Sequence, residues 1–343
     1  MDAMPSFTLP CATSAASTSS DEQMMPKLLN FLRDLLLIRR VEFRIAEIPI
    51  VAMPALLANK DLSSLKTQSF WEGVLIFFFL FAFGDMINCL ADRDLDAQCK
   101  PHLSRAVYNL GVPFVTLQIV LWAVLALALA AHVSWLLHRW QLLALTAIGL
   151  ALGAAYSVEP FRLKGRGIAQ LVCLWLIIFV GPMLMIATLF GAWPTPELVA
   201  FAMAYGAVQM GIILVNTAED YPEDRQAGVR TVIVALGLSR GIALASTLAT
   251  AGAAVMLATL ATLYWVRGVP LSRSFALLPA AAACIWLSNA VRRLSREVAA
   301  APPEIGIARV KAAAKNVPAW VTVVAWTSLA AVAVLFLYSS KLF

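Results

Sequence analysis

Two short stretches of this chain carry side chains whose types and spacing suit chemistry. The first, Asn88-Cys-Leu-Ala-Asp92-Arg-Asp-Leu-Asp96, sits where a long apolar run ends. The second, Asn216-Thr-Ala-Glu-Asp220-Tyr-Pro-Glu-Asp224, closes another apolar run and again spaces Asn, Asp and Asp by four. In a helix each step of four overshoots a full turn by about 40°, so the three groups of a motif share one drifting stripe. Acids at membrane helix ends are costly unless they hold something, and two matching sets suggest one shared ligand. Carboxylate oxygens suit hard cations, and Mg²⁺ is usually held by one or two carboxylates plus substrate phosphates. The motifs therefore predict Mg²⁺ held by Asp92, Asp96, Asp220 and Asp224, with Asn88 and Asn216 as supporting ligands and a diphosphate between them.

Cations follow each motif. Lys100 and Arg105 come after the first, Arg225 and Arg230 after the second. A third polar segment, Tyr156-Ser157-Val-Glu-Pro-Phe-Arg162-Leu-Lys164-Gly-Arg166, follows a different apolar run. Carboxylates for Mg²⁺ beside Arg and Lys for phosphate oxygens are what a diphosphate leaving group needs. Negative charge builds on that group as its C–O bond breaks, and metal plus cation stabilise it. The other product, an allylic carbocation, needs a dry and aromatic-lined cavity. Each of these residues also has a plainer reading: solvated acids at helix ends, capping asparagines, and topogenic cations. The matched spacing of the two motifs favours the site. Asp85, one turn before Asn88, is expected either in a hydrogen-bonded structure or on the cavity wall. Glu47 is expected to make an interhelical hydrogen bond.

The elements that must position these groups are membrane helices. Of 343 residues, 61% are hydrophobic and 13% charged, against about 25% charged in a soluble domain. Apolar runs longer than about 18 residues recur along the chain and do not alternate as barrel strands would. The expected fold is all-α and polytopic, with nine spans around a central cavity: 44–59, 70–91, 110–132, 139–156, 168–192, 197–218, 239–264, 274–291 and 318–339. Residues 1–26, rich in Ser, Thr, Ala and Pro, read as a disordered tail, and 27–343 as the helical membrane domain. Residues 28–44 read as an interfacial helix. Five cysteines without paired spacing argue against a disulfide framework or a zinc site.

With these spans, 20 of the 26 Lys and Arg fall on the side of the N-terminus and both Asp motifs. The positive-inside rule makes that side cytoplasmic and puts the C-terminus outside. The net charge of +6 lies in short loops between spans, so it points to no nucleic acid, and no motif points to a protein partner. The motif-bearing spans are the second and sixth, which hints at a four-helix internal repeat.

At these residues the chain resembles the UbiA superfamily of intramembrane prenyltransferases. Asn88, Asp92 and Asp96 match its NxxxDxxxD motif, and Asp220 with Asp224 its DxxxD motif. Tyr156, Ser157, Pro160, Arg162 and Lys164 are similar to its YSxxPxRxK segment. Asp224, Gly228, Arg230, Thr231 and Gly237 are similar to its D..G.RT....LG segment. The chain departs at Cys89, where many members have Asp, and at Lys100-Pro-His-Leu-Ser-Arg105, where many have Arg-Pro-Leu-Pro-x-Gly. The resemblance implies Mg²⁺-dependent transfer of a prenyl group from an isoprenyl diphosphate to an acceptor, often aromatic or lipid. The superfamily also holds terpene cyclases, which ionise the same diphosphate and let its own double bonds attack. A non-enzymatic carrier of an anionic ligand is the third reading.

Overall fold

The computed structural model describes residues 20–41, 44–59, 61–191 and 193–339. Among the described residues fourteen α-helices longer than four residues follow in order: α1 (Ser20–Ile38), α2 (Arg44–Ala58), α3 (Gln68–Cys99), α4 (Pro101–Leu110), α5 (Val112–Leu137), α6 (Trp140–Ser157) and α7 (Ile168–Thr188, with a π turn over Trp175–Val180), then α8 (Pro196–Glu219), α9 (Tyr221–Gln226), α10 (Val232–Leu236), α11 (Leu238–Val266), α12 (Leu277–Ala300), α13 (Pro303–Ala314) and α14 (Val317–Ser339). Among the described residues there is no strand, only one isolated bridge between Arg166 and Arg230. Eight helices are long and apolar enough to cross a bilayer: α3, α5, α6, α7, α8, α11, α12 with the turn before it, and α14. The protein is an all-α polytopic membrane protein.

The span expected over 44–59 forms as α2, but its 15 residues make it shorter than the others. At 1.5 Å per residue it reaches only about 22 Å. Pro49 and Pro54 lie within it. Its start is level with the third turn of α14, where Trp326 Nε1 donates to the Ile45 carbonyl at 3.2 Å. At its other end the Leu57 carbonyl accepts from Arg267, just past α11. The tail assigned to 1–26 lies outside the described residues up to position 19, and α1 begins at Ser20. Helix α1 exposes Leu28, Leu29, Leu32 and Leu36 and buries Asp34, which accepts from Asn109 of α4 at 2.9 Å.

The two motif-bearing helices sit differently. Helix α8 is central, with 78% of its apolar stretch buried, against 33% for α3. Glycine lets α8 and α11 touch backbone to backbone. A Cβ on Gly211 would lie 2.7 Å from the Ala245 carbonyl oxygen, and one on Gly252 2.8 Å from that of Ala204. Helix α3 instead packs beside α5, whose outer face shows Leu117, Val120, Leu121 and Val124, as a lipid-facing helix does.

The helix ends decide the motif geometry. Helix α3 continues through Asp96 to Cys99, so Asn88, Asp92 and Asp96 share one helix as expected. The second motif does not. Helix α8 stops at Glu219, Asp220 is its cap, and α9 restarts at Tyr221. The cause is Pro222, which lacks an N–H and would drive its ring into the carbonyl one turn back. A single stripe through Asn216, Asp220 and Asp224 is thus corrected to a helix end followed by a separate turn. Segments read as polar loops also contain helices: α4 after the first motif, α10 after the second, and α13 between α12 and α14.

Candidate active site

Asp92 is the most enclosed acid of the first motif, at 2% exposed. Its Oδ2 accepts from Lys164 Nζ, and Arg162 lies 3.7 Å from its Oδ1. Both cations come from the loop after α6. A charge this enclosed is stable only when paired, and removing one partner of such a pair typically costs about 3–5 kcal/mol.

The second motif is held by the first. Lys100, which follows Asp96 by one helical turn, donates to Asp220 Oδ2 at 2.8 Å across 120 positions of sequence. Asp224 is buried. Its N–H donates to the Asp220 carbonyl at 2.8 Å, and its carboxylate accepts from the Thr231 hydroxyl. Burial pushes the Asp224 carboxyl up to about 6, opposed by Lys164 and raised further by Asp220. Lys164 therefore lies between Asp92 and Asp224, and Lys100 between the ends of both motifs. The two Asp motifs face each other across two lysines. Beside them, Glu223 accepts from Lys311 of α13 at 2.9 Å.

Two loops close this end of the bundle. The Arg166–Arg230 bridge is fixed by the Gly167 N–H, which donates to the Arg230 carbonyl at 2.8 Å. Gln170, 3% exposed in the first turn of α7, accepts from the Val232 N–H at 2.7 Å. It also hydrogen-bonds Tyr156, so one amide ties together α6, α7 and α10. Gly228 and Gly237 take positive φ, +71° and +80°, which only glycine adopts cheaply. Between them Thr231 caps α10 through its side chain while it holds Asp224.

The structure does not gather every residue expected at the site. Arg105 is exposed and donates to the Pro101 carbonyl of its own helix at 3.1 Å. The Arg230 side chain is exposed and, with Arg162 and Arg166, lines an outer cavity of about 270 Å³. Asn216 is exposed on an otherwise buried helix. Asp85 is paired, accepting from Arg44 at 2.7 Å, and Arg44 also donates to Glu47 at 2.5 Å. Glu47 thus makes its bond within α2 rather than between helices. Gln170 and Lys311 are absent from the sequence reading. The signal for Gln170 is an amide one turn into an apolar helix, which needs a partner there.

Among the described residues no three His, Cys, Asp or Glu side chains stand close enough to hold a metal alone. The donors nevertheless fit a cation that arrives with phosphate oxygens. Asn88 Oδ1 and Ser157 Oγ are buried without a hydrogen-bond partner. Buried polar atoms rarely stay unpaired without reason. An amide oxygen one turn from Asp92, with Asp96 a turn further on, forms a hard-oxygen ladder that suits Mg²⁺.

The fold and the facing acid motifs define a polytopic membrane protein with a polar site at one end of an apolar helical bundle. The model of the UbiA prenyltransferase family matches residues 47–305, and this chain belongs to that family. It is 36% identical over 120 residues to a bacteriochlorophyll synthase 33 kDa chain of Cereibacter sphaeroides, covering 34% of this chain and 38% of that one. It is 31% identical over 159 residues to the corresponding chain of Rhodobacter capsulatus, covering 44% and 49%. The match thus spans less than half the length of these curated relatives. The fold is similar to that of a UbiA homolog from Archaeoglobus fulgidus bound to DMAPP and Mg²⁺, with TM-score 0.56, 17% identity, and 85% and 99% of the two chains covered. It is also similar to digeranylgeranylglyceryl phosphate synthase, with TM-score 0.60, 16% identity, and 88% and 98% covered.

Proposed function

We propose that this protein is a Mg²⁺-dependent intramembrane prenyltransferase. It ionises an isoprenyl diphosphate and passes the prenyl group to an aromatic or lipid acceptor. The observation that carries this reading is the pair of lysines set between the two Asp motifs, Lys164 on Asp92 and Lys100 on Asp220. When diphosphate enters, the lysines turn to its oxygens and release the carboxylates. Asp92, Asp96, Asp220 and Asp224 would hold the metal, with Asn88 in support; Asn216, one turn before Asp220 but exposed, would be the weaker supporting ligand. Bound Mg²⁺ would supply Lewis-acid stabilisation of the charge that builds on the leaving diphosphate. Arg162 adds a further cation beside Asp92. Tyr156 and Ser157 frame the diphosphate pocket, Ser157 with a free hydroxyl. Arg105 and Arg230 lie at its rim, where they draw the anion in from solvent.

The apolar body of the bundle excludes water from the prenyl chain, so the allylic cation meets the acceptor before it meets water. Relatives described as bacteriochlorophyll synthase chains favour transfer to an acceptor over internal cyclisation. The excess of Lys and Arg at the motif end supports a cytoplasmic site and N-terminus, with the C-terminus outside. Purified protein in lipid nanodiscs, given Mg²⁺ and geranyl, farnesyl or geranylgeranyl diphosphate without acceptor, tests the reading. It predicts Mg²⁺-dependent binding with little turnover. Release of a cyclic terpene under those conditions would contradict transfer and support a cyclase.

A further inference from the structure

A separate cleft of about 540 Å³ lies between α12, α13 and the start of α14. Its walls include Trp286, Asn289, Arg293 and Glu297 of α12, Arg309 of α13 and Trp320 of α14. The four α12 residues recur at intervals of three and four, so they form one face of that helix. Arg309 pairs with Glu297 at 3.1 Å. Arg293 has no ion-pair or hydrogen-bond partner among the described residues. The lining thus holds two guanidinium groups against one carboxylate.

The cleft is graded along the membrane normal. Helix α12 ends, and α14 begins, at the end of the bundle that carries the Asp motifs. Arg293 is seven residues nearer that end than Trp286, a rise of about 10 Å. Trp320 is in the first turns of α14 and nearly buried, while Trp286 is 47% exposed beside Ile285 at 61%. The cations therefore stand nearer the polar end of the bundle than Trp286, whose ring is open to the side, while Trp320 backs the cleft from within. A soluble anion would leave the aromatic wall without a function, and a zwitterionic lipid would leave the excess guanidinium charge uncompensated. Interfacial Trp and basic clefts between membrane helices both suit anionic lipid.

We propose that this cleft binds an anionic membrane phospholipid, its phosphate on Arg293 and Arg309 and the first part of an acyl chain along Trp286. The cleft is distinct from the diphosphate site, since α13 stands between them. Arg309 and Ala313 share the cleft face of α13. Lys311, turned about 200° from Arg309, reaches Glu223 on the opposite side.

The test is native mass spectrometry and thermal unfolding of the full-length protein with phosphatidylglycerol, phosphatidylcholine or inorganic phosphate, on wild type, Arg293→Gln and Trp286→Ala. Wild type is expected to retain phosphatidylglycerol at least tenfold better than phosphatidylcholine and to unfold at a higher temperature with it. Arg293→Gln should lose that preference while unfolding like wild type without lipid. Trp286→Ala should weaken retention of phosphatidylglycerol. Equal retention of the two lipids by wild type would overturn the proposal whatever the variants do. So would an unchanged preference in Arg293→Gln, or displacement of phosphatidylglycerol by millimolar phosphate, which would mark a free-anion site.

Discussion

The two Asp motifs share one Asn-Asp-Asp spacing and differ in structure. The first lies on one unbroken helix, and its central acid, Asp92, is enclosed by cations from another loop. The second is broken at Asp220, whose side chain is 31% exposed and held by a single lysine from beyond the first motif. The helices contrast in the opposite sense: α8 is buried and pinned to α11 through glycine, while α3 faces outward. A rigid helix ends in a loosely held acid, and an outward-facing helix carries a tightly held one. Matching sequence spacing therefore does not mean matching energetics. The enclosed half is expected to govern both folding and binding, and the open half binding alone.

The sharpest way to break this contrast is to delete one acid from each half. Asp92→Ala should abolish Mg²⁺-dependent diphosphate binding and strip Lys164 and Arg162 of their closest carboxylate, for a loss of about 3 kcal/mol in stability. Asp220→Ala should abolish turnover with a stability change below about 1 kcal/mol, since its partner Lys100 can turn to water. Denaturation of both variants in the same detergent measures the difference, and equal losses would erase the contrast.

The lysines give a smaller version of the same experiment. Lys164→Met is expected to destabilise by about 3 kcal/mol, and Lys100→Met by under about 1 kcal/mol. Both should weaken diphosphate binding at least tenfold, read by titration calorimetry in nanodiscs.

Acidity separates the halves more gently. The Asp224 carboxyl is raised to about 6 by burial. Below that pH it is neutral and a poor ligand, so a proton must leave before metal binds. Mg²⁺-dependent affinity should therefore fall as pH drops through 6, by up to about tenfold per unit, rather than near the ordinary Asp range of about 4. Asp224→Asn should bind weakly and lose this pH step; a step that persists in the variant would assign it to another group.

The smallest effect is expected at Arg105. Its side chain folds back on its own helix, so Arg105→Ala should change diphosphate affinity by less than about threefold. A larger loss would place it inside the site rather than at the rim.

Much of this was legible in the sequence, for identifiable reasons. Long apolar runs mark membrane helices by length alone, so the spans lie close to where hydropathy puts them. The first motif reads correctly because nothing between Asn88 and Asp96 breaks a helix. The second contains Pro222, a breaker that the spacing argument passed over. Helices α4, α10 and α13 hide in polar segments because their apolar positions are few and short. Lys100 on Asp220 joins residues 120 apart, and no local pattern announces such a pair. Glu47 and Asp85 showed their need for a partner, but not that Arg44 would serve both.

The most direct test of the central claim is the binding of geranylgeranyl diphosphate to the purified protein in nanodiscs, with and without Mg²⁺, for wild type, Asp92→Asn and Asp220→Asn. The two facing motifs predict tight binding that requires Mg²⁺ and is lost in both variants. Binding that persists without Mg²⁺, or in either variant, would contradict a diphosphate clamped between two Asp motifs and favour a simple anion carrier.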